Sequence, residues 1–267
     1  MNSKEVLTLG LLPLDVFRDA LKCLEIIEEK LARHGKELDL LVLPELFNTG
    51  FISDKDQLDF YCDITRNVLD RIKSLALQYH VSIAGSALWK EGSTYYNRGF
   101  FIKYNGEISF YDKRHLFCKS PESRLMQRGA KLPESVNIDG WNVRLIVCYD
   151  LRFPVWCRQS RKEEDRYDLL LVVANWPDVR EYTWLHLLIA RAIENQAFVA
   201  GVNRLGEDQY GTYGGGMTTV FDPLGRPVKG VTDEDLITIK ISKSEIERQR
   251  AHWPLSKDAD DFSIYLS

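Results

Sequence analysis

The stretch VRLIVCYDLRFP, residues Val143 to Pro154, is where both the fold and the chemistry of this chain first become apparent. Its apolar run, residues 145–147, is typical of a buried strand. The run ends at Cys148, and polar and aromatic residues follow at once. Because sites in sheets flanked by helices are usually built at the carboxyl ends of strands, this position makes Cys148 a candidate nucleophile. Free cysteine is also among the most buried residue types, so Cys148 taken alone is more often a core residue.

The composition is that of a globular domain. The 267 residues are 45% hydrophobic and 28% charged, which argues against disorder. The formal net charge of −4, without a long basic run, argues against binding to nucleic acid or to a membrane surface. The beginning of the sequence lacks the pattern of a signal peptide, and no apolar run approaches the roughly 20 residues of a membrane span. An odd count of 5 cysteines without CxxC pairs indicates a reducing compartment, so we expect a cytoplasmic protein.

Helical and strand patterns alternate along the chain. Asp15 is expected to cap a first helix that has Phe17 on its apolar face and ends with Gly35 as a left-handed cap. Asn105-Gly106 predicts a hairpin. Other helices are predicted over 63–79, 156–160, 181–196 and 245–250, and strands over 6–12, 40–43, 81–89, 168–174, 198–202, 217–221 and 236–241. These elements indicate one α/β domain, residues 1–267, with two sheets packed face to face and helices outside.

Four residues of this pattern have the right chemistry to act together. Glu45, Lys113 and Cys148 each follow a predicted strand, and Glu122 lies in the irregular segment 118–133. A thiol needs a base to become a thiolate, a carboxylate can be that base, and a lysine can stabilise an oxyanion. Each also has a simpler explanation: Glu45 as a surface residue at a strand end, Lys113 in a solvated basic patch, and Glu122 as a solvated loop charge.

The sequences around these residues are more specific than the residues themselves. LPELFNTGF (43–51), YDKRHLF (111–117) and CYDLRFP (148–154) resemble the nitrilase superfamily of carbon–nitrogen hydrolases. The resemblance continues through ANWP (174–177), ARAIENQAFVAGVNRLG (190–206), VFDPLGRPV (220–228) and DEDLITIKI (233–241). Within the superfamily the chain is most similar to the compact bacterial omega-amidases. The resemblance implies a four-layer α-β-β-α sandwich of two mixed sheets with helices outside.

The resemblance also implies roles for the candidate residues. Glu45 matches the general base, Lys113 the lysine and Cys148 the nucleophile of a Glu–Lys–Cys triad, and Glu122 matches a second glutamate that orients the lysine or adjusts the base. The expected reaction is hydrolysis of an amide through a thioester on Cys148, with the Tyr149 backbone N–H as a second oxyanion donor. Neither a cofactor nor a metal ion is expected.

An omega-amidase substrate implies a pocket that binds a carboxylate. A keto-acid monoamide of the 2-oxoglutaramate or 2-oxosuccinamate type needs a cation, and Arg152 is the candidate because a guanidinium binds a carboxylate bidentately. Alternatively, Arg152 pairs with an acidic residue such as Asp150 and holds its loop. Small-molecule pockets have largely apolar walls, for which four aromatic residues are candidates: Phe47, Tyr149, Phe153 and Trp176.

Several positions depart from the family pattern and bear on the pocket wall. Thr183 stands where related chains often have histidine, and Gly214, Met217 and Thr218 replace parts of a Tyr-x-Gly-x-Ser run. The glycines 214–216 lack the order of a nucleotide-binding loop. The 5 histidines are scattered without metal-ligand spacing, which argues against a metalloenzyme.

Other functions stay open at this point. The protein is alternatively an N-carbamoyl amino acid hydrolase, a deaminated glutathione amidase or a catalytically silent interaction protein, and a nitrile is a less favoured substrate. Nitrilase-like relatives usually form dimers, so a homodimer is expected. The aromatic and aliphatic residues of the C-terminal tail, 251–267, pack either on a partner subunit or over their own.

Overall fold

A computed structural model describes residues 4–16, 19–214 and 217–266. Within these residues lie fourteen strands: β1 (Val6–Leu11), β2 (Leu40–Val42), β3 (Ser82–Glu91), β4 (Thr94–Ile102), β5 (Ile108–Asp112), β6 (Ser135–Ile138), β7 (Trp141–Val147), β8 (Leu169–Ala174), β9 (Phe198–Asn203), β10 (Gly206–Asp208), β11 (Gly211–Tyr213), β12 (Thr219–Phe221), β13 (Val231–Asp233) and β14 (Leu236–Ser242). The helices are α1 (Ala20–His34), α2 (Leu58–Tyr79), α3 (Glu122–Leu125), α4 (Pro154–Cys157), α5 (Glu181–Asn195), α6 (Lys243–His252) and α7 (Leu255–Asp258).

The strands form two large mixed sheets. The first has the order β13-β14-β1-β2-β3-β4-β5 and the second the order β12-β9-β8-β7-β6, while β10 and β11 form a separate ribbon. Parallel pairing joins β1 to β2 and β2 to β3 in the first sheet, and β7 to β8 and β8 to β9 in the second. The remaining pairs within the two sheets are antiparallel.

The alternation of side chains along the strands explains the layers. Leu40 and Val42 join an apolar cluster that runs between the two sheets, whereas the intervening Leu41 packs with residues of α1 and α2. On the far side of the second sheet, α5 lies so close to β9 that a Cβ added to Gly201 would be 2.6 Å from Leu188 Cδ1. The predicted four-layer α-β-β-α sandwich is therefore confirmed.

Strand ends place the candidate residues as predicted. Glu45 lies just beyond β2, Lys113 directly follows β5, and Cys148 directly follows β7. The hairpin at Asn105-Gly106 is confirmed as the turn between β4 and β5, where Lys103 N–H donates to Glu107 O at 2.9 Å. The predicted helix over 181–196 is also present as α5.

The start of the first helix differs from the prediction. The cap is Asp19, not Asp15, because the Asp19 carboxylate accepts hydrogen bonds from the first-turn N–H groups and α1 begins at Ala20. Asp15 lies upstream in an irregular segment that bridges to Leu205. Phe17, predicted on the apolar face of this helix, lies outside the described residues.

The end of the first helix and the start of the second also differ from the predictions. The left-handed cap predicted at Gly35 is wrong: Gly35 has φ −54°, since the chain continues from α1 into a short 3₁₀ turn. The second helix begins at Leu58, ahead of the predicted Asp63, and ends at Tyr79, after which His80 caps it with φ +55°.

The described part of the C-terminal segment makes several contacts with its own chain. After α7 it runs irregularly, and Ile264 packs against the apolar cluster between the sheets. Arg161 donates to Ser256 O at 3.4 Å and to the Asp261 carboxylate at 3.5 Å. In the described ranges, no helix is long and apolar enough to cross a membrane.

Candidate active site

Cys148 occupies a turn that its neighbours hold in a rare conformation. Its φ is +45°, in the left-handed region that costs a non-glycine residue about 1–3 kcal/mol. The buried carboxylate of Asp150 holds this turn, because it accepts hydrogen bonds from Val147 N–H at 3.2 Å and from His115 N–H at 2.9 Å. The turn leaves Cys148 only 8% exposed.

Glu45 is fully buried at the end of β2, in a second turn of the same kind. The next residue, Leu46, also has φ +45°, and its N–H donates to Ser86 Oγ at 3.0 Å. Glu45 Oε1 accepts a hydrogen bond from Lys113 Nζ at 2.7 Å, and Oε2 accepts one from Asn175 N–H at 2.8 Å. Both oxygens of the carboxylate are therefore fixed.

Lys113 lies between two carboxylates. Besides its contact with Glu45, its Nζ donates to both oxygens of Glu122 at 2.9 Å. The Nδ2 of Asn97 bridges the same two carboxylates, 2.8 Å from Glu45 and 2.7 Å from Glu122. Ser86 Oγ in turn donates to Asn97 Oδ1 at 2.9 Å. We call Glu45, Asn97, Lys113 and Glu122 the buried charge cluster.

Burial and charge together set the protonation states here. Burial acts to lower the pKa of Lys113, but the carboxylates of Glu122 and Glu45 outweigh it and raise that pKa above its ordinary value, so the ammonium is kept. Burial raises the pKa of Glu122, against the opposing effect of Lys113. Burial and the charge of Glu45 hold the pKa of the Cys148 thiol well above its ordinary range. The resting thiol is therefore neutral, with a carboxylate in place to accept its proton.

Glu122 reaches the cluster because its loop is anchored to β5. The loop contains the single-turn helix α3, and Phe117 N–H donates to Glu122 Oε2 at 3.1 Å. Gly129, further along, donates to Lys113 O at 3.0 Å. A Cβ at Gly129 would lie 2.0 Å from Asp112 O, so only glycine permits this close approach.

A cavity of about 340 Å³ opens above Cys148. Lys113, Cys148 and Asn175 line it from the cluster side, and Trp176 and Tyr149 contribute aromatic wall. Its other lining residues are aromatic, cationic or small: Phe51, Phe117, Lys119, Ser120, Arg152, Pro177, Arg180, Tyr210 and Tyr213. A thiol, a carboxylate and an ammonium thus meet at the edge of a small, partly apolar cavity, which is an arrangement suited to acyl transfer from a small molecule.

Comparisons with known proteins identify the family of this chain. A sequence model of the carbon-nitrogen hydrolase family matches residues 12–251. The chain belongs to this family. It is 38% identical over 229 residues to the omega-amidase YafV of Escherichia coli (strain K12), covering 85% of this chain and 86% of that protein. It is 34% identical over 242 residues to the 2-oxoglutaramate amidase of Bacillus subtilis, covering 89% of this chain and 90% of that one.

A solved structure shows the same fold. XC1258 from Xanthomonas campestris, described as a CN-hydrolase superfamily protein with an arsenic adduct in the active site, superposes with a TM-score of 0.90. It is 33% identical, and the match covers 98% of this chain and 100% of that one. The expected membership of the nitrilase superfamily, in the omega-amidase branch, is confirmed, and the protein is a carbon–nitrogen hydrolase.

The predicted pocket residues of this carbon–nitrogen hydrolase divide into two groups. Tyr149, Arg152 and Trp176 line the cavity. Phe47 does not: it is fully buried and packs edge-to-face on Phe100, with ring centroids 5.7 Å apart, in the core beneath α1 and α2. Phe153 stacks on the ring of His115 at 3.7 Å and is not among the residues that line the cavity.

Arg152 does not hold its loop through Asp150. The Asp150 carboxylate accepts hydrogen bonds from Tyr111 Oη at 2.8 Å and from the backbone of the turn, and contacts His115 Nδ1 at 2.7 Å. The Arg152 guanidinium lies instead 4.8 Å from the centroid of the Trp176 ring, at the cavity wall.

The positions that depart from the family pattern lie outside the cavity lining. Met217 O accepts from Trp184 Nε1 at 2.7 Å, and Thr218 Oγ1 accepts from Asn203 N–H at 3.1 Å. Gly214 N–H donates to Asp178 at 2.7 Å, whereas glycines 215 and 216 lie outside the described residues. Thr183 is half-buried on α5.

The sequence-based search missed Asn97 and Asn175. Asn175 follows the end of β8, and this position is the same signal that identified Cys148. Asn97 is inside β4, where nothing local distinguishes it from any other polar strand residue. Across residues 4–16, 19–214 and 217–266, no group of three or more His, Cys, Asp or Glu side chains is arranged to hold a metal ion.

Proposed function

We propose that this enzyme hydrolyses the terminal amide of a small keto-acid monoamide, of the 2-oxoglutaramate or 2-oxosuccinamate type, to the carboxylate and ammonia. The observation that carries the proposal is the cavity that opens above Cys148, with the Lys113 ammonium at its wall hydrogen-bonded to the buried Glu45 carboxylate at 2.7 Å. This arrangement supplies a nucleophile, a base and a cation for the oxyanion in one place.

The first half of the reaction makes a thioester. Cys148 Sγ attacks the amide carbonyl carbon while Glu45 takes the thiol proton, since the raised pKa of the thiol requires proton transfer to accompany attack. Lys113 Nζ and the Tyr149 N–H stabilise the oxyanion, and losing one such donor typically costs about 10²–10³ in rate. Glu45 then passes the proton to the leaving nitrogen, the C–N bond breaks, and ammonia departs.

The second half hydrolyses the thioester. Water attacks the acyl carbon, Glu45 takes a proton from that water, and the C–S bond breaks. The thiolate of Cys148 recovers its proton from Glu45, which returns the enzyme to its resting state. Glu122 and Asn97 act through Lys113 and Glu45, because they hold the ammonium and the carboxylate in place.

The charge of the cavity supports a substrate with a free carboxylate. Lys119, Arg152 and Arg180 all line the cavity, and its described lining contains no Asp or Glu. The described residues give none of these three cations a carboxylate within 4.0 Å. A substrate carboxylate would supply the missing charge, and a guanidinium binds it bidentately.

The test is ammonia release from a panel of 2-oxoglutaramate, 2-oxosuccinamate, N-carbamoyl amino acids, deaminated glutathione and simple nitriles. We expect the two keto-acid amides to have the highest kcat/KM. Cys148→Ala should abolish turnover, whereas Cys118→Ala, which removes an exposed cysteine, should retain it. A higher kcat/KM on a carbamoyl compound or deaminated glutathione would replace the proposed substrate. An absence of ammonia from every compound would favour a silent interaction protein.

We propose further that the enzyme is a homodimer, as its superfamily implies, and that it is cytoplasmic, as its 5 free cysteines indicate. Beside the start of α5, Val179 is 83% and Tyr182 is 76% exposed, and Ile193 on the same helix is 47% exposed. A second copy packed on this surface would remove it from water. Sedimentation velocity should give the mass of a dimer, and a monomer at every concentration would contradict the proposal.

A further inference from the structure

Asn175 lies beside the proposed chemistry without a part in the buried charge cluster. It follows β8 directly, its backbone N–H donates to Glu45 Oε2 at 2.8 Å, and the residue is among those that line the cavity above Cys148. The residue is only 4% exposed.

Both polar atoms of the Asn175 side chain lack a hydrogen-bond partner among the described residues. Neighbouring buried amides differ in this respect. Asn97 bonds through both Nδ2 and Oδ1, and Asn203 Nδ2 donates to Trp176 O while its Oδ1 accepts from Trp176 N–H. A buried polar atom without a partner costs about 1–3 kcal/mol, so a pair of them at a binding cavity calls for a ligand that satisfies both.

The chemistry of a carboxamide defines that ligand. Asn175 presents donors on Nδ2 and an acceptor on Oδ1, so its complement must offer an acceptor and a donor together. A primary amide offers both, through its oxygen and its N–H groups. An ester, a nitrile and the product carboxylate offer acceptors alone and would leave Oδ1 unsatisfied.

We propose that Asn175 is the residue that selects a primary amide, by accepting a hydrogen bond from the substrate's amide N–H on Oδ1. This inference rests on the proposed function and adds how the site distinguishes an amide from isosteric esters. Because Asn175 N–H also fixes Glu45, the bonded nitrogen would face the carboxylate that must protonate it. The same selectivity weakens product binding, since the carboxylate formed has no N–H to donate.

The experiment compares 2-oxoglutaramate with its ω-methyl ester, which has the same skeleton and carboxylate. Asn175→Leu should lower kcat/KM for the amide about 10²-fold or more and for the ester less than about 3-fold, because a site that hydrogen-bonds its substrate discriminates strongly. Asn137→Leu, at an exposed asparagine on β6, should change neither. Equal losses on both substrates would overturn the inference. Wild-type enzyme that hydrolyses the ester but not the amide would instead overturn the proposed function.

Binding to the Cys148→Ala protein gives a second test that does not require a folded Asn175 variant. Calorimetry should show 2-oxoglutaramate binding at least about 10-fold more tightly than its ω-methyl ester, since only the amide satisfies both atoms of Asn175. Equal affinities would overturn the inference even if Asn175→Leu proves unstable.

Discussion

Among the described residues, cations are paired with carboxylates in the buried charge cluster but not in the cationic wall of the cavity. This wall comprises Lys119, Arg152 and Arg180. In the cluster, Lys113 touches two carboxylates at 2.7–2.9 Å and is 1% exposed. In the wall, Arg152 lies 4.8 Å from the Trp176 ring and Arg180 lies 5.5 Å from the Phe117 ring.

This difference in charge pairing indicates two roles, catalysis for the cluster and substrate binding for the wall. Buried charges persist only when paired and hydrogen-bonded, so the cluster is complete before any substrate arrives. Cations resting on aromatic faces keep their hydrogen-bond donors available, and a ligand can supply the opposite charge. We therefore expect changes in the cluster to affect kcat and stability, and changes in the wall to affect KM.

Lys113→Met would break the cluster most severely. It leaves Glu45 and Glu122 buried without a cation, so we expect loss of turnover and destabilisation of about 3–5 kcal/mol at pH 7. Chemical denaturation of the variant and of the wild type, together with ammonia release, measures both. Lys119→Met, the same substitution in the exposed wall, should cost less than about 0.5 kcal/mol.

The stability lost in Lys113→Met should depend on pH, and the direction of that dependence can be predicted. Burial already raises the pKa of Glu122 against the opposing effect of Lys113, so without Lys113 its folded-state pKa lies further above the unfolded value of about 4.3. The folded variant then binds more protons than the unfolded chain between these values, so its stability falls as pH rises through that window. The deficit relative to wild type should shrink between pH 7 and pH 5. A deficit independent of pH would mean that the carboxylates had found other partners.

The role of the cationic wall is tested by comparing the KM of a charged substrate with the KM of a neutral one. Arg152→Gln and Arg180→Gln each remove a cation but keep a polar side chain, and hydrogen bonds to charged groups contribute about 1.5–3 kcal/mol. We expect the KM for 2-oxoglutaramate to rise about 10-fold or more with kcat nearly unchanged, and the KM for a neutral amide such as butyramide to stay within about 3-fold. Equal effects on both amides would show that the guanidinium groups shape the cavity without binding a carboxylate.

The buried charge cluster could be predicted from the sequence more completely than the cationic wall. The positions of Glu45, Lys113 and Cys148 were predictable because each follows a strand and lies in a recognisable local motif. Glu122 was predictable from its motif alone, since its loop is irregular and tertiary contacts such as that of Gly129 with β5 bring it to the cluster. Asn97 was missed because a polar residue within a strand carries no local sign of the carboxylates it joins.

The wall depends on residues that are far apart in the sequence. Phe51, Tyr210 and Tyr213 reach the cavity from loops and a short ribbon whose placement no periodicity predicts. Phe47 illustrates the opposite error: it neighbours Glu45 in sequence, but the turn at Leu46 directs the two side chains to different environments. Sequence proximity to a functional residue was therefore a poor guide to the cavity wall.

The smallest expected effect concerns Cys148, which lies where the cluster and the cavity meet. Its φ of +45° is unfavourable for any residue with a Cβ and unrestricted for glycine. Both Cys148→Gly and Cys148→Ala should be inactive, but the glycine variant should be more stable than the alanine variant by about 1 kcal/mol in denaturant unfolding. The same pair at Cys157, a buried cysteine at the end of α4 that lacks a positive φ, should show the opposite order, because glycine there only adds conformational freedom to the unfolded chain. If the alanine variant is the more stable at both positions, the turn at Cys148 stores no strain, and the hydrogen bonds of Asp150 alone set its geometry.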